Sequence, residues 1–574
     1  MAGLELVLLL LALSAGLRIL ADRLTIPYSA LLVVGGLLLA FVPNLPRVDV
    51  SPDVLFLIFV PPLLYWGAAS FPLRDFRREI GPILRLAVLM VLVSIVAIAV
   101  VAHTIDPQFT WAAAFALGAI VSPPDPVAVL SVMRSLRLPR AIESILEGEG
   151  LLNDATALVS YRMAVAAAVT GIFSPWHAAL QFVVAGAGGI IIGVLVGIVV
   201  LRLHRLTKSV DVAENTVSLL TPFAAYLPAE LVGASGVVAV VAAAMYVARN
   251  VQSVGGPATR LQNSAMWSVV TFLLESLVFI LVGLELPSVT RALAGGSGRS
   301  VIGETAIVCA CVVLVRILWV MPSTYFARSF GRWLRGSREP LPSWQQVLFI
   351  GWAGVRGGDS LVIALALPLT TSAGAPFPAR ERIVFITFSV ILVTLVVQGP
   401  TLRPFARLLK LRADGRSQDE EAHARLTAAE AGLRVLDAPE LSRTTHPEVP
   451  RYLRQRHRQR ARRWAAREAR QLENRPDEAP HDHAVAAPSH AAGVLDEERA
   501  AEYRRIRSAM IRAEQQALLA LRDRGEIGDD VMRTVQRELD LEQVLLDSPE
   551  PVVEPSSELR MEESGERSGG ELQG

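Results

Sequence analysis

Long apolar runs separated by short polar segments fill most of the chain. Most of these runs are long enough to cross the apolar part of a bilayer as a helix. Thirteen can be placed, at 3–20, 24–42, 53–70, 80–102, 111–133, 143–172, 177–203, 215–232, 235–249, 263–286, 301–326, 344–368 and 381–403. The pattern therefore predicts an all-α, multi-pass membrane protein with about thirteen transmembrane helices.

The chain after residue 412 has a different character. Charged residues are 58 of its 162 positions, compared with 51 of the first 412, and the two parts carry net charges of −8 and +9. Apolar positions at near-helical spacing predict a helical hairpin at about 496–547. The composition of about 550–574 is typical of disorder. We therefore expect a transmembrane domain at 1–412 and a water-soluble tail at 413–574.

Arginine and lysine in the connecting segments predict the orientation. The connections that follow odd-numbered runs carry 17 of these residues when the adjoining ends of the runs are included, and the even-numbered connections carry five. By the positive-inside rule the N-terminus faces outward and the tail is cytoplasmic. The first run lacks a basic start and contains Glu5, so it does not read as a cleavable signal peptide. An arginine-rich run at 451–470 is either a solvated basic helix or a contact with anionic lipid headgroups.

Several classes of protein lack their sequence signatures here. Lys208 and Lys410 are the only lysines, and neither follows a glycine, so no phosphate-binding GK[ST] loop is present. The HExxH and GxSxG motifs are also absent. Cys309 and Cys311 would point in different directions on a helix, which predicts neither a disulfide nor a metal site. We therefore expect no enzyme, no cofactor and no nucleic-acid partner.

The fifth apolar run contains a break that carries an acid. Pro123, Pro124 and Pro126 cannot continue a regular helix, and Asp125 lies between them. One interpretation is two short helices joined by a surface loop. The apolar sequence on both sides favours the other interpretation, which places the break and its carboxylate at membrane depth.

The sixth run contains polar side chains well inside an apolar helix. Glu147 and Asp154 share one helical face, and Glu149 with Asn153 share a neighbouring face. A charged side chain at bilayer depth costs at least ~2.5 kcal/mol, so each requires a reason. Solvated acids at a helix start would explain Glu143 but not Asn153 and Asp154. Oxygen-bearing side chains in this arrangement favour a site for a hard cation.

The twelfth run is rich in glycine and contains a positive charge. Four of the eight positions 351–358 are glycine, which allows close packing or local unwinding. Arg356 needs an anionic partner, and we expect Glu149 to provide it. Glu275, in the tenth run, is interpreted either as an ion-pair partner or as a site ligand.

The two broken runs are the fifth and the twelfth, seven runs apart. An odd offset means that two similar halves, runs 1–6 and 8–13, would enter the membrane with opposite orientation. Inverted repeats of this kind, with broken helices that cross near the midplane, form the ion sites of many secondary transporters. The sequence thus predicts two inverted six-helix repeats.

Four motifs in the order of a known family carry a resemblance. They are SPPDPVAV at 122–129, EGEGLLNDATALV at 147–159, LESLVFILVGLEL at 274–286 and GVRGGDS at 354–360. The chain resembles the monovalent cation:proton antiporters of the sodium/proton exchanger type. The resemblance implies that Asp154 binds Na⁺ and H⁺ in turn, beside Asn153 and Asp125. It also implies a structural pair of Glu149 and Arg356.

The resemblance also implies properties of the whole protein. An Asn-Asp pair implies electroneutral exchange, and the family implies a homodimer with a rigid-body movement of a core domain. Three positions depart from the family pattern: Pro124 replaces a threonine, Gly150 a serine, and Asp359 a small residue. Ser122, Glu275 and Asp359 are therefore additional candidates for the site.

These observations predict a secondary antiporter that exchanges Na⁺ for H⁺ across the cell membrane, in sodium and pH homeostasis. Li⁺ or K⁺ are alternative cations. A potassium/proton exchanger regulated by its tail is a second interpretation. A gated cation channel or a membrane sensor, in which the acids only stabilise packing, is a third.

Overall fold

The structure is a computed structural model, and its described residues are almost all helical. Those residues are 2–24, 28–42, 52–126, 129, 133, 138–207, 211–251, 256–293, 298–335, 342–411, 416–438, 445–472 and 497–548. Within these ranges the β-structure consists of one isolated bridge, between Thr370 and Pro376. The predicted all-α fold is therefore confirmed.

The chain forms two compact units. The first comprises residues 1–420 together with 525–531, and the second comprises 421–524 and 532–574. The predicted boundary at residue 412 stays a prediction. The observed division also assigns a short segment of the tail, 525–531, to the first unit.

Among the described residues of the first unit, sixteen helices overlap the predicted apolar runs. They are α1 (Ala2–Leu24), α2 (Tyr28–Leu39), α3 (Pro52–Ser70), α4 (Leu73–Leu84), α5 (Val91–Ile105), α6 (Trp111–Val121), α7 (Arg140–Thr170), α8 (Pro175–Thr207), α9 (Asp211–Leu231), α10 (Gly236–Val251), α11 (Pro257–Leu293), α12 (Gly298–Arg335), α13 (Trp344–Trp352), α14 (Asp359–Leu365), α15 (Arg380–Val393) and α16 (Gly399–Leu408). Single π-helical turns, Arg85–Met90 and Thr394–Gln398, join α4 to α5 and α15 to α16.

Length and composition qualify five of the described segments to cross a membrane. They are Leu73–Ile105, Trp176–Thr207, Pro257–Leu284, Val301–Ser329 and Arg380–Leu408. Shorter apolar helices, among them Tyr28–Leu39 and Trp111–Val121, accompany them. The multi-pass architecture is thus confirmed, and the number of thirteen spanning helices stays a prediction.

Close contact of backbones holds α2 against α11. A Cβ atom on Gly36 would overlap the carbonyl oxygen of Ile280, and a Cβ atom on Gly283 would overlap that of Val33. Small residues at helix crossings permit this approach in membrane proteins, where packing replaces the hydrophobic effect as the main attraction between helices. Any larger residue at Gly36 or Gly283 would force the two helices apart.

Both predicted breaks are present, and they cross. The chain leaves the helical conformation at residues 122–125, after α6, and again at residues 353–358, between α13 and α14. The backbone N–H of Asp125 donates a hydrogen bond of 2.8 Å to the carbonyl oxygen of Val355. The backbone groups that proline and glycine release from the helices therefore satisfy one another across the crossing.

The second unit contains the tail helices. α17 (Arg416–Val435) begins in the first unit, and α18 (Glu448–Leu472), α19 (Glu497–Asp523) and α20 (Asp529–Asp547) follow. α19 and α20 are antiparallel, since Arg507 binds Glu542 and Gln515 binds Asp540 at 2.9 Å. The turn between them includes Gly525 at φ +74°, a conformation that glycine adopts without strain. These helices coincide with the predicted hairpin, and 550–574 lies outside the described residues.

A buried ionic cluster lies in the core of the second unit. Arg507 and Glu514 are 1% and 0% exposed, and the guanidinium of Arg507 also binds Glu542 at 2.6 Å. Burial alone would raise the pKa of Glu514, but His457, Arg507 and Arg460 together hold it below the usual value of 4.5. The pKa of Glu542 is lowered as well, chiefly by Arg507.

We expect the tail unit to lose stability in acid. A carboxyl with a lowered pKa in the folded state stabilises the fold above its unfolded pKa, and this contribution disappears as the pH falls through the folded pKa. Hydrogen exchange of α19 in the intact protein, corrected for the intrinsic rate, should show falling protection below about pH 4.5. In Glu514→Gln this acid dependence should weaken. An unchanged profile in that variant would contradict the assignment.

Candidate cation site at the crossing of the broken helices

Asn153 connects α7 to the first break. Its side-chain nitrogen donates a hydrogen bond of 2.7 Å to the carbonyl oxygen of Pro124, and its side-chain oxygen accepts one of 2.7 Å from the N–H of Asp154. The side chain is fully buried. Because both ends of the amide are used, Asn153 fixes the position of Asp154 relative to the crossing.

Two further carboxyl groups lie within electrostatic reach of Asp154 at this point. Asp154 is partly buried, and the charges that act on it most strongly are those of Asp359 and Asp125. Asp125 packs so closely against Gly357 that a Cβ atom there would overlap its carboxylate. The structure thus places Asp154, Asn153 and Asp125 at the crossing, with Asp359 within electrostatic reach, and their role as a cation site stays a prediction.

The arrangement offers oxygen atoms as ligands for a cation. Among the described residues, no group of three or more His, Cys, Asp or Glu side chains forms a ready-made metal cluster. A cation at Asp154 would therefore also use carbonyl oxygens, which the ends of α6 and α13 present near the crossing. Oxygen ligands suit a hard cation.

The close packing of α7 against the first break explains the glycine at position 150. A Cβ atom on Gly150 would overlap the ring of Pro126, which belongs to the first break. Even a serine there would displace the break from α7. The departure from the family pattern at this position therefore accompanies close packing of α7 on the crossing.

The prediction that Glu149 pairs with Arg356 is wrong, because the partner of Glu149 is another arginine. Glu149 forms a bidentate ion pair with Arg316, with Nη2 of the arginine 2.8 Å from Oε2 of the carboxylate. Both side chains are 1% exposed. Nε of Arg316 also donates to the carbonyl oxygen of Ile350, at the end of α13. The pair therefore connects α7, α12 and α13 next to the site.

Arg356 lies close to this pair but does not bind it. Its side chain is 1% exposed, and its guanidinium nitrogens make no hydrogen bond within the described part of the chain. Its backbone N–H donates to the hydroxyl of Thr394, in the π-helical turn after α15. Arg356 thus fixes the second break through its backbone, and its charge adds to the positive charge of Arg316.

The other two candidates do not join the carboxylate group. Glu275 lies on α11 within electrostatic reach of Tyr28, whose hydroxyl is 2.8 Å from that of Ser276. Ser122 is buried, and its hydroxyl donates to the carbonyl oxygen of Gly118 in the last turn of α6. Neither residue is among the groups that act electrostatically on Asp154, so their roles as ligands stay predictions.

Sequence reasoning missed Arg316, although a signal was present. Arg316 is a lone arginine in the middle of the apolar run 301–326. The cost of a charge at bilayer depth requires a partner for it, just as it does for Arg356. The sequence alone offered two arginines for one glutamate, and the choice between them depends on how α12 packs.

The fold and the site define a class of protein: a multi-pass membrane transporter whose broken helices cross at a carboxylate. The sequence profile of the family described as "Sodium/hydrogen exchanger, transmembrane" matches residues 9–408. The chain belongs to this family of cation/proton antiporters.

Curated relatives agree with this membership. An uncharacterized Na⁺/H⁺ exchanger of Mycobacterium tuberculosis is 33% identical over 552 residues, covering 95% of this chain and 97% of the relative. A Na⁺/H⁺ antiporter of Aphanothece halophytica is 31% identical and covers 76% of this chain and 81% of its own. A sodium, potassium, lithium and rubidium/H⁺ antiporter of Bacillus subtilis is 33% identical over 65% of this chain and 56% of its own.

Among solved structures, the sodium proton antiporter of Methanocaldococcus jannaschii at pH 8 has the same fold. It aligns with a TM-score of 0.53 and covers 71% of this chain and 98% of its own. Sequence identity is 17%, so the similarity concerns the fold alone.

Proposed function

We propose that this protein exchanges Na⁺ for H⁺ one for one, with Asp154 as the group that both ions occupy. The observation that carries the proposal is the pair of hydrogen bonds made by the side chain of Asn153. They connect the backbone of Asp154 to the first break at the crossing. When the carboxylate is ionised it binds the cation together with carbonyl oxygens. When it is protonated its charge is gone and the cation leaves. One carboxylate therefore serves the two substrates in turn.

Asp125 and Asp359 shape this competition. Their negative charges act on Asp154, attract a cation and make simultaneous ionisation of the three groups unfavourable. We propose that Asp125 contributes to cation binding and that Asp359 strengthens the field at the site without exchanging a proton in the cycle.

The setting of this exchange follows from the charge distribution. The excess of basic residues in the odd-numbered connections supports an outward N-terminus and a cytoplasmic tail in the cell membrane. The resemblance to the family supports a homodimer surrounded by lipid. Export of Na⁺ driven by inward H⁺ flow would serve sodium and pH homeostasis.

Exchange in proteoliposomes tests the proposal. Addition of NaCl to vesicles with an imposed pH gradient should dissipate the gradient, with saturation in Na⁺ and an apparent KM that rises as the pH is lowered. LiCl and KCl serve as parallel additions. A response to K⁺ alone would assign the potassium/proton alternative, and a current that does not saturate and needs no counter-ion would indicate a channel.

The same vesicles test the one-for-one ratio. A membrane potential acts on a cycle with about 2.3 kcal/mol per net elementary charge per 100 mV. If each passage of the site carries one Na⁺ or one H⁺, no net charge moves, and a potassium–valinomycin potential of either sign should leave the equilibrium point unchanged. A shift with voltage that disappears in Asp359→Asn would mean that Asp359 carries a second proton.

A further inference from the structure

Arg140, the first residue of α7, binds carboxylates from three distant parts of the chain. Its Nε is 2.9 Å from Asp75, and its Nη1 is 3.0 Å from Glu420. Its Nη2 binds Asp530, which is 390 residues away in sequence. The side chain of Arg140 is 16% exposed, so these contacts are largely shielded from water.

Residues 525–531, which we call the docking loop, make further contacts at the same place. The carboxylate of Asp529 accepts a hydrogen bond of 3.1 Å from the N–H of Leu73, at the start of α4. The N–H of Gly528 donates one of 2.8 Å to Glu420. A Cβ atom on Gly528 would overlap Nη2 of Arg140, so a larger residue there would displace the guanidinium from its present position. Ile527 is fully buried.

By its contacts the docking loop belongs to the first unit, although in sequence it joins two tail helices, α19 and α20. We propose that it is an intramolecular regulatory partner of the exchanger: when docked on Arg140 it restrains α7 and slows exchange. The proposal deepens the proposed function, on which it rests, and it assigns a role to a segment that the site does not use.

The position of Arg140 supports the restraint. Asp154 lies fourteen residues further along the same uninterrupted helix, about 21 Å away at 1.5 Å per residue. Access to Asp154 must alternate between the two sides of the membrane, so α7 or its neighbours must move during the cycle. A segment that binds the first residue of α7 and the first N–H of α4 opposes displacement of either helix end.

The arrangement also permits release. When the docking loop leaves, Arg140 keeps two carboxylate partners, Asp75 and Glu420, so no unpaired buried charge remains. Asp529 and Asp530 would then be hydrated. The docked and released states can therefore differ by a small free energy, as a regulatory contact requires.

Two independent variants of the intact chain test the proposal. Asp529→Asn with Asp530→Asn removes the ionic contacts, and Gly528→Ala introduces a methyl group against Arg140 without a change of charge. We expect each to increase the maximal rate of Na⁺/H⁺ exchange about fivefold, the lower end of typical allosteric couplings, with an unchanged KM for Na⁺. Deuterium uptake of the first turn of α7 and of the docking loop should rise in both.

Asp523→Asn is the matched control, since Asp523 is exposed, lies just before the docking loop and pairs with its neighbour Arg522. It should leave both the rate and the deuterium uptake unchanged.

Each other result overturns the proposal. Unchanged deuterium uptake in both variants would mean that the loop does not grip α7. Increased uptake with an unchanged or lower rate would mean that the contact is structural and does not restrain exchange. If the wild-type protein exchanged no Na⁺, the proposed function would fail and the restraint with it, while deuterium uptake would still report whether the loop docks.

Discussion

The Asp154→Asn protein is expected to fold normally and to lose all Na⁺-dependent proton movement. Asparagine keeps the shape of the side chain but has neither the negative charge that binds the cation nor the group that takes up the proton. Because Asp154 is one of three mutually repelling carboxylates, its neutralisation should leave the melting temperature unchanged or raise it. Proteoliposome exchange and thermal unfolding of the purified protein measure the two effects.

Glu143→Gln is a suitable control for this experiment, because it removes a carboxylate from the first turn of the same helix, α7. It should retain exchange. Substantial exchange by Asp154→Asn would remove Asp154 from its central role. Attention would then move to Asp125, or to Glu275 outside the carboxylate group.

Arg316→Gln is expected to cause the largest loss of stability among the polar variants considered. It leaves Glu149 as a buried charge without its bidentate partner, and breaking such a pair typically costs ~3–5 kcal/mol. Glu149→Gln should have a comparable effect. The double variant should be less damaged than the sum of the two singles, because the two residues share one interaction. Melting temperatures in detergent provide the measurement.

Two comparisons make this prediction specific. Arg356→Gln removes a buried guanidinium that has no hydrogen-bond partner among the described residues, so it should cost much less than Arg316→Gln. Arg162→Gln, on the exposed side of α7, breaks a surface pair with Glu230 and should cost less than about 1 kcal/mol. A larger loss for Arg356→Gln than for Arg316→Gln would restore the pairing expected from sequence.

The positions of the helices and of both breaks could be predicted from local properties. Apolar runs determine where helices form in a bilayer, since every backbone polar group there must be satisfied within the segment. Pro123, Pro124 and Pro126 cannot continue a helix, and the glycines around Arg356 favour unwinding. Each of these effects acts within a few residues, and for that reason the printed sequence reveals it.

The residues of the site could be predicted because charge at membrane depth is costly. Asp125, Asn153 and Asp154 stand out against their apolar surroundings, and the structure places all three at the crossing. The same rule applies to Arg316, which sequence reasoning overlooked. Asp359 was visible as an extra acid without an assignment, and only its proximity to Asp154 gives it one.

The sequence by itself determined the all-helical fold, the two breaks and the chemical character of the site, because these depend on the cost of placing polar groups in lipid. Only the tertiary structure decided which charges meet. Glu149 binds Arg316 rather than Arg356 because α12 brings its guanidinium against α7 and α13. Arg140 binds Asp530 across 390 residues, beside Gly528, where a side chain would displace the guanidinium. Ion pairing depends on distances of a few ångströms between segments far apart in sequence, and no local pattern encodes those distances.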